Sequence, residues 1–181
     1  MDVFFEQILR KKPNLAQKIV KIAFIIASIA LILSLVAYAF VGLLQNSFLG
    51  PICILAAFGV GFGANWYVKR MYVEYEYCIT NGDFDIDKII AKSKRQRVIS
   101  TSCQDFEEFG VYDENAKQRL ANREFNAKVF AANLDEENLY YAVVQHKTFG
   151  RVLLVIQPNE RIVTALKKFI PRIIQNNVLN K

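Results

Sequence analysis

The sequence lacks charged residues over one long stretch. No Asp, Glu, Lys, Arg or His lies between Lys21 and Lys69, and the stretch holds two apolar runs, residues 22–44 and 48–68. A helix over either run rises 1.5 Å per residue and reaches roughly 30 Å, the thickness of a bilayer's hydrocarbon core. Two such helices in succession leave almost no polar face for water, which argues against a soluble core. The stretch therefore predicts a transmembrane helical hairpin.

Cysteine and histidine are also scarce. The three cysteines have no Cys-x-x-Cys spacing, so neither a disulfide framework nor a zinc site is expected. The single histidine, His146, lies at a strand end, and no Cys or Ser has a sequence context that marks a nucleophile. We therefore expect no enzymatic activity, no cofactor and no metal site.

A cleaved signal peptide is the alternative interpretation of the first run. Lysines precede the run, and Ala37-Tyr38-Ala39 has the form of a cleavage site. The run is, however, longer than the roughly 7–15 apolar residues of a signal peptide, and a second spanning run would follow the cut. A permanent anchor is the better interpretation.

The basic residues indicate the orientation of the hairpin. They precede the first run or follow the second, and the connecting Gln45-Asn46-Ser47 has none. Because cytoplasmic flanks carry the excess of Lys and Arg, both termini are expected in the cytoplasm, at a bacterial cytoplasmic membrane. The flanking residues are Arg10, Lys11, Lys12, Lys18, Lys21, Lys69 and Arg70.

Small residues form a seam in each apolar run. Such seams allow two helix backbones to approach closely, and Gly59 with Gly63 matches the GxxxG pattern. Packing within one hairpin and self-association between chains, giving a homo-oligomer, both fit. The candidate packing residues are Ala27, Ala30, Ser34, Gly59 and Gly63.

Residues 1–21 are interpreted as an amphipathic cytoplasmic segment. The apolar residues Phe4, Phe5, Ile8 and Leu9 have helical spacing, which predicts a short helix before Pro13. This helix would lie on the inner leaflet or dock on the soluble domain.

Residues 69–181 form one cytoplasmic domain dominated by strands. Alternating apolar residues on both sides of Asn81-Gly82 predict a β-hairpin with a type I′ turn. Further strands are predicted near residues 95–101, 103–112, 127–132, 139–147 and 151–157, which makes seven. Asn159 caps a final amphipathic helix that ends before Pro171, and a short amphipathic tail follows. Residues 113–126 are polar and are predicted to form a loop with at most one helical turn.

The order of seven strands and one helix resembles a pleckstrin-homology-like (PH-like) barrel. An uncharacterised family of clostridial two-transmembrane membrane proteins with a bacterial PH-like domain also resembles this chain, at Tyr72–Tyr77 with Thr80–Ile89, at Arg95–Arg97 and at Gly150–Glu160. The resemblance implies an α+β protein: a transmembrane hairpin, then a seven-stranded antiparallel barrel capped by a C-terminal helix. It implies no catalytic residue.

PH-like domains are expected to bind phosphoinositides through a basic loop between their first two strands. The first strand connection predicted here, Asn81-Gly82, has no Lys or Arg to pair with phosphates. The sequence departs from the family pattern at this point.

The basic residues Lys94, Arg95 and Arg97 have two interpretations. They can face the acidic strands around Glu74 to Asp87 in a cross-strand charge ladder, which is favoured. They can instead contact anionic lipid headgroups, as can Lys18, Lys21, Lys69 and Arg70 at the ends of the apolar runs. The acidic residues do not have the spacing of an EF-hand.

These observations predict a membrane-anchored binding or scaffold module. It would recruit a protein partner, which the sequence leaves unidentified, to the inner membrane face, where it also contacts lipids. A sensor of anionic lipid or a small ligand, and an accessory subunit of a membrane complex, are the alternatives. Nucleic acid is not an expected partner, because the domain carries no clustered positive charge.

Overall fold

A computed structural model of the chain describes residues 4–45 and 47–174. The described chain divides into two compact units: one lies within residues 12–72, and the other comprises residues 4–11 together with 73–174.

The first unit consists of two helices, α1 (Leu15–Leu44) and α2 (Leu49–Arg70). Both are long and apolar enough to cross a membrane. None of the most apolar window of α1 is buried, and only 11% of that window of α2 is. A core helix of a soluble protein would instead cover most of its apolar side chains.

The two helices approach most closely beside their turn. A Cβ atom on Gly42 would lie 2.8 Å from the backbone nitrogen of Gly50, so only glycine fits there. Farther along, the Phe24 and Tyr67 rings lie 4.7 Å apart between centroids. The buried and half-buried residues of α1 recur every three or four positions, which is the packing stripe of an antiparallel pair.

The small residues predicted to form packing seams lie outside the contact between α1 and α2. Ala27, Ala30, Ser34, Gly59 and Gly63 are all exposed, and a Cβ on Gly59 or Gly63 would meet nothing within 4 Å. Packing of these residues within the hairpin is therefore wrong, because the two helices face each other through a different side of each. Packing between chains stays a prediction.

The turn of the hairpin is short. The backbone N–H of Ser47 donates to the carbonyl of Gly42 (2.9 Å). Pro51 lies in the first turn of α2, where a missing N–H costs no helical hydrogen bond. Asn46, predicted as part of this turn, lies outside the described residues.

The second unit contains the strands and two further helices. The strands are β1 (Phe4–Arg10), β2 (Val73–Thr80), β3 (Asp83–Ile90), β4 (Lys94–Ser102), β5 (Phe106–Val111), β6 (Ala127–Ala131), β7 (Tyr140–His146) and β8 (Gly150–Ile156). The helices are α3 (Glu114–Ala121) and α4 (Glu160–Phe169), and a short 3-10 helix, Cys103–Asp105, joins β4 to β5.

The strands form two four-stranded sheets. One has the order β1-β2-β3-β4, and the other has the order β5-β7-β8-β6. All pairs are antiparallel except β6 with β8. The predicted Asn81-Gly82 turn is confirmed, with φ values of 52° and 98° as a type I′ turn requires.

The prediction of a seven-stranded antiparallel barrel is therefore wrong in three respects. The described residues contain eight strands, one pair is parallel, and the two sheets do not close into a barrel. The seven strands predicted after the apolar runs are all present, and the additional strand is β1.

The core lies between the sheets and is closed by α4. Fully buried side chains include Tyr77, Phe84, Ile86, Leu154 and Leu166. Asn159 caps α4 as predicted, because its Oδ1 accepts from the N–H of Ile162 (2.9 Å). The predicted amphipathic tail after Pro171 extends beyond the described residues.

Helix α3 covers the outer face of the second sheet. Its Ala116 and Leu120 are buried against Tyr141 and Val143 of β7. The sequence prediction of a loop with one helical turn is wrong here, since two apolar residues spaced by four are sufficient to hold an eight-residue helix.

Candidate functional site

Strand β1 joins the N-terminus to the sheet that follows the hairpin. It pairs with β2 from Phe4 opposite Thr80 to Arg10 opposite Glu74, and the N–H of Lys11 donates to the carbonyl of Val73 (3.0 Å). The helix predicted before Pro13 is therefore wrong. Strands β1 and β2 are neighbours in one sheet, so the chain leaves this sheet after β1 and returns beside it in β2. If α1 crosses a membrane, α2 must therefore cross it in the opposite direction.

Side-chain amides hold β1 against the second sheet. Gln7 donates to the carbonyl of Gln157 (3.0 Å), and its Oε1 accepts from the N–H of Asn159 (2.7 Å). Asn133 donates to the carbonyl of Arg10 (3.1 Å). These contacts bridge the gap between the sheets where a closed barrel would have backbone hydrogen bonds.

The basic residues at the base of the hairpin contact aromatic rings. Lys21 donates to the hydroxyl of Tyr72 (2.9 Å) and lies 4.6 Å from the centre of its ring. The guanidinium of Arg70 lies 3.7 Å above the ring of Trp66. Lys18 and Lys69 are exposed. Lys21 and Arg70 therefore each contact an aromatic ring near the end of the helix pair.

The basic residues of β4 contact carboxylates instead. Arg95 lies 2.8 Å from Glu76, and Arg97 lies 2.9 Å from Asp85 and also pairs with Asp87. Lys94 is exposed at the end of the strand. The charge ladder predicted between neighbouring strands is confirmed, while lipid contact by Lys94, Arg95 and Arg97 stays a prediction.

Glu76 is the buried member of this ladder. Its side chain is 6% exposed although its partner Arg95 is 63% exposed. Burial raises the pKa of Glu76, and the carboxyl of Glu6 on β1 raises it further, against the opposing effect of Arg95. The carboxyl groups of Glu76 and Glu6 therefore lie close together beside the guanidinium of Arg95.

A groove of about 890 Å³ runs beside the free edge of β5. This strand pairs with β7 on one side and with no described strand on the other. Glu108 accepts from Arg123 and lies 3.6 Å from Arg119. Glu107 pairs with Arg151 at 2.7 Å. The groove is lined by Glu107, Glu108, Phe109, Gly110, Val111, Asp113, Asn115, Ala116, Arg119, Arg123, Tyr141 and Ile174.

A second groove, of about 570 Å³, lies beside the first half of α4. Its lining is mostly polar and includes Asn138, Tyr140, Pro158, Asn159, Glu160, Val163, Thr164 and Lys167. The domain therefore has one concave surface beside a sheet edge and another beside its last helix.

His146 has a structural role in the β7–β8 turn. Its Nδ1 accepts from the N–H groups of Thr148 (3.1 Å) and Phe149 (3.2 Å), and its ring stacks on Phe149. Its Nε2 lies 3.1 Å from the carbonyl of Ser100 on β4. These contacts hold His146 at the end of β7, the strand end at which the sequence placed it.

Two arginines that shape the β5 groove were not predicted from the sequence. Arg119 lies on α3 and Arg123 follows the end of that helix, within the segment predicted as a loop, and both reach Glu108. The spacing of Ala116 and Leu120 was the available signal, but the segment is too polar to show an apolar stripe.

A family model described as a bacterial PH-like domain (DUF6106) matches residues 1–176. The chain belongs to this family. No curated protein and no solved structure matches the chain. Because the family match includes residues 1–72, the hairpin and β1 are part of the family pattern.

The strand order also changes which connection is the first. The first two strands are β1 and β2, and residues 11–72 connect them. The prediction that Asn81-Gly82 is the first connection is wrong, since this turn joins the second strand to the third. The hairpin is thus an insertion within a PH-like domain.

Proposed function

We propose that this protein is a membrane-anchored, cytoplasm-facing binding module that recruits a protein partner to the inner face of the bacterial cytoplasmic membrane. Membership of a PH-like family supports a binding or scaffold role. Two helices long and apolar enough to cross a membrane support the anchor.

The proposed orientation rests on charge and topology. Strand β1 and the rest of the domain lie on the same side of any membrane that the hairpin crosses, because β1 and β2 are hydrogen-bonded neighbours. Lys18, Lys21, Lys69 and Arg70 flank the helices on that side, and such residues favour the cytoplasm. Both termini are therefore assigned to the cytoplasm.

The observation that carries the partner proposal is the free edge of β5 inside a groove. An extended segment of a partner can add to such an edge through backbone hydrogen bonds, while neighbouring side chains supply specificity. Val111 on this strand is 54% exposed. The anchor raises the local concentration of the domain at the bilayer, so a modest affinity suffices.

We propose binding rather than catalysis because the Glu and Arg side chains that line the β5 groove form ion pairs with one another. Glu108 accepts from Arg123 and lies beside Arg119, which also donates to the hydroxyl of Tyr141. A general acid or base needs a group that can reach the substrate. These contacts instead hold acidic and basic side chains in place along one side of the groove.

The test is in-cell crosslinking of the full-length protein followed by mass spectrometry, with two matched variants. Val111→Lys places a charge on the edge strand β5, which should block strand addition. Phe130→Lys makes the same change on β6, the opposite edge of the same sheet, where Phe130 is 39% exposed. We expect a reproducible protein adduct that Val111→Lys reduces several-fold and Phe130→Lys leaves unchanged.

Two results would contradict this proposal. One is a crosslinking pattern that contains only lipid adducts. The other is an equal loss of the protein adduct in both variants, which would show that the β5 edge has no special part in recognition.

A further inference from the structure

The chain has no acidic residue between Glu6 and Glu74, although seven basic residues lie in that interval. All seven precede residue 22 or follow residue 68, so none is near the turn of the hairpin. The cations of α1 and α2 therefore have no carboxylate in their own unit with which to pair. The ordinary way of neutralising exposed basic residues in a protein is absent from this part of the sequence.

Helix geometry places these cations at one level. Counting from the close contact of Gly42 with Gly50, Lys21 lies about 32 Å along α1 and Lys69 about 29 Å along α2. The hydrogen bond from Lys21 to Tyr72 (2.9 Å) joins the second turn of α1 to the segment that follows α2. Both helices thus present positive charge one hydrocarbon thickness from the turn.

Aromatic rings position the charges without cancelling them. Arg70 stacks on Trp66 at 3.7 Å, and Lys21 lies 4.6 Å from the Tyr72 ring. A ring face attracts a cation through its quadrupole but carries no net charge. Trp and Tyr prefer the headgroup level of a bilayer, so the same rings set the depth of the cations.

We propose that this cationic–aromatic collar, Lys18, Lys21, Lys69 and Arg70 with Trp66 and Tyr72, binds the phosphate groups of anionic phospholipids in the leaflet next to the domain. The inference rests on the membrane anchor of the proposed function. The collar binds lipid and not free phosphate, because the rings fix the cations at the depth of a headgroup and the bilayer supplies the phosphates there.

The collar is also distinguished from the other basic cluster of the chain. Arg95 and Arg97 are held by Glu76, Asp85 and Asp87 on the neighbouring strands. A phosphate approaching them would have to compete with carboxylates already within 3 Å. The four collar cations have no carboxylate within residues 12–72, the unit to which they belong.

Trp66 provides the readout, since it is the only tryptophan in the chain. The full-length protein is placed in phosphatidylcholine vesicles that contain a low, fixed mole fraction of either brominated phosphatidylcholine or brominated phosphatidylglycerol. Bromine quenches tryptophan fluorescence only at contact distance. We expect quenching to report about a threefold or greater local enrichment of the anionic lipid over the zwitterionic one.

The variant Lys18→Gln/Lys21→Gln/Lys69→Gln tests the collar and leaves Arg70 stacked on Trp66. We expect it to lose the preference for phosphatidylglycerol while quenching by brominated phosphatidylcholine stays unchanged, which shows that the helices remain inserted. The matched control Lys128→Gln/Lys147→Gln/Lys168→Gln removes the same charge from exposed positions of the domain. The control should keep the preference.

Several results would overturn the inference. One is equal quenching by the two brominated lipids. Another is loss of the preference for phosphatidylglycerol in Arg95→Gln/Arg97→Gln but not in the collar variant. The third is abolition of that preference by millimolar inorganic phosphate. Absence of quenching by brominated phosphatidylcholine would overturn the anchor as well. A failed search for a protein partner would leave the lipid result standing, so the two proposals fail separately.

Discussion

The hairpin and the domain use the same basic residue types with different partners. In the domain, Arg95, Arg97 and Arg123 each pair with a carboxylate on a neighbouring element. In the hairpin, Lys21 and Arg70 contact the rings of Tyr72 and Trp66. Carboxylates of the domain neutralise these three arginines, whereas the hairpin unit, residues 12–72, contains no carboxylate.

The apolar residues show the same contrast. Phe84 in the domain is fully buried, while Phe58 and Phe62 of α2 are 75% and 76% exposed. A domain with such a core is stabilised by removing apolar surface from water. The hairpin has little surface to bury against itself, so its internal stability depends on the few places where the helix backbones meet.

The largest effect is expected from Gly42→Leu, which would break the hairpin and spare the domain. A Cβ at this position meets backbone atoms of Gly50 at 2.8 and 3.1 Å, and backbone cannot move aside as a side chain can. We expect a loss of roughly 3 kcal/mol in the stability of the helix pair. SDS-induced unfolding of the full-length protein in micelles, followed by Trp66 fluorescence, measures it.

Gly59→Leu is the matched control for this change. It adds the same side chain to the same helical unit, at a position where a Cβ meets nothing within 4 Å. We expect no loss within the hairpin. An equal loss in both variants would mean that the exposed seam of α2 packs against another chain, as the self-association alternative predicts.

Alkaline pH should destabilise the domain through a buried thiol. Burial, with a smaller contribution from Asp83, raises the pKa of Cys103 to about 12. In the unfolded chain a thiol has a pKa of about 8.5, so stability is complete below that pH and is lost as the pH rises toward 12. Between pH 8 and pH 10 we expect a loss of about 2 kcal/mol, measured by urea unfolding in micelles.

Cys103→Ala should remove most of this pH dependence, even if the smaller side chain lowers stability at every pH. Cys78→Ala is the control, because Cys78 lies half-buried on the opposite face of its strand from the core. A slope that persists in Cys103→Ala would assign the alkaline loss to other groups.

Local patterns predicted the elements that local forces determine. The apolar runs, the Asn81-Gly82 turn and the Asn159 cap depend on neighbours in sequence, and all three are present. Strand β1 was missed because Phe4, Phe5, Ile8 and Leu9 fit a helical period equally well. Its conformation is set by β2, which follows the whole hairpin in sequence, so no local signal could identify the partner.

The charged residues and the glycines show how far a sequence pattern can predict contacts between elements. The alternation of acidic and basic strands was sufficient to predict the ladder at Arg95 and Arg97, since register follows from the turn. The glycine patterns were not sufficient, because a seam of small residues shows where a helix can be approached and not which helix approaches. The contact at Gly42 and Gly50 depends on the turn between them.

The smallest effect is expected at Glu76, where the pairing of charges in the domain is incomplete. Burial and then Glu6 raise the pKa of Glu76 in the folded protein. The stability contributed by the neutral carboxyl is therefore fully present below the unfolded pKa of about 4.3. It is lost as the pH rises through the higher folded pKa. Glu76→Gln should therefore flatten the dependence of the urea midpoint on pH above 4, whereas Glu124→Gln, at an exposed position, should not. If both variants kept the pH slope of the unmodified protein, the carboxyl groups of Glu6 and Glu76 would be neutralised as fully as those of the other ladder residues. The domain would then contain no incompletely paired charge to compare with the cations of the hairpin.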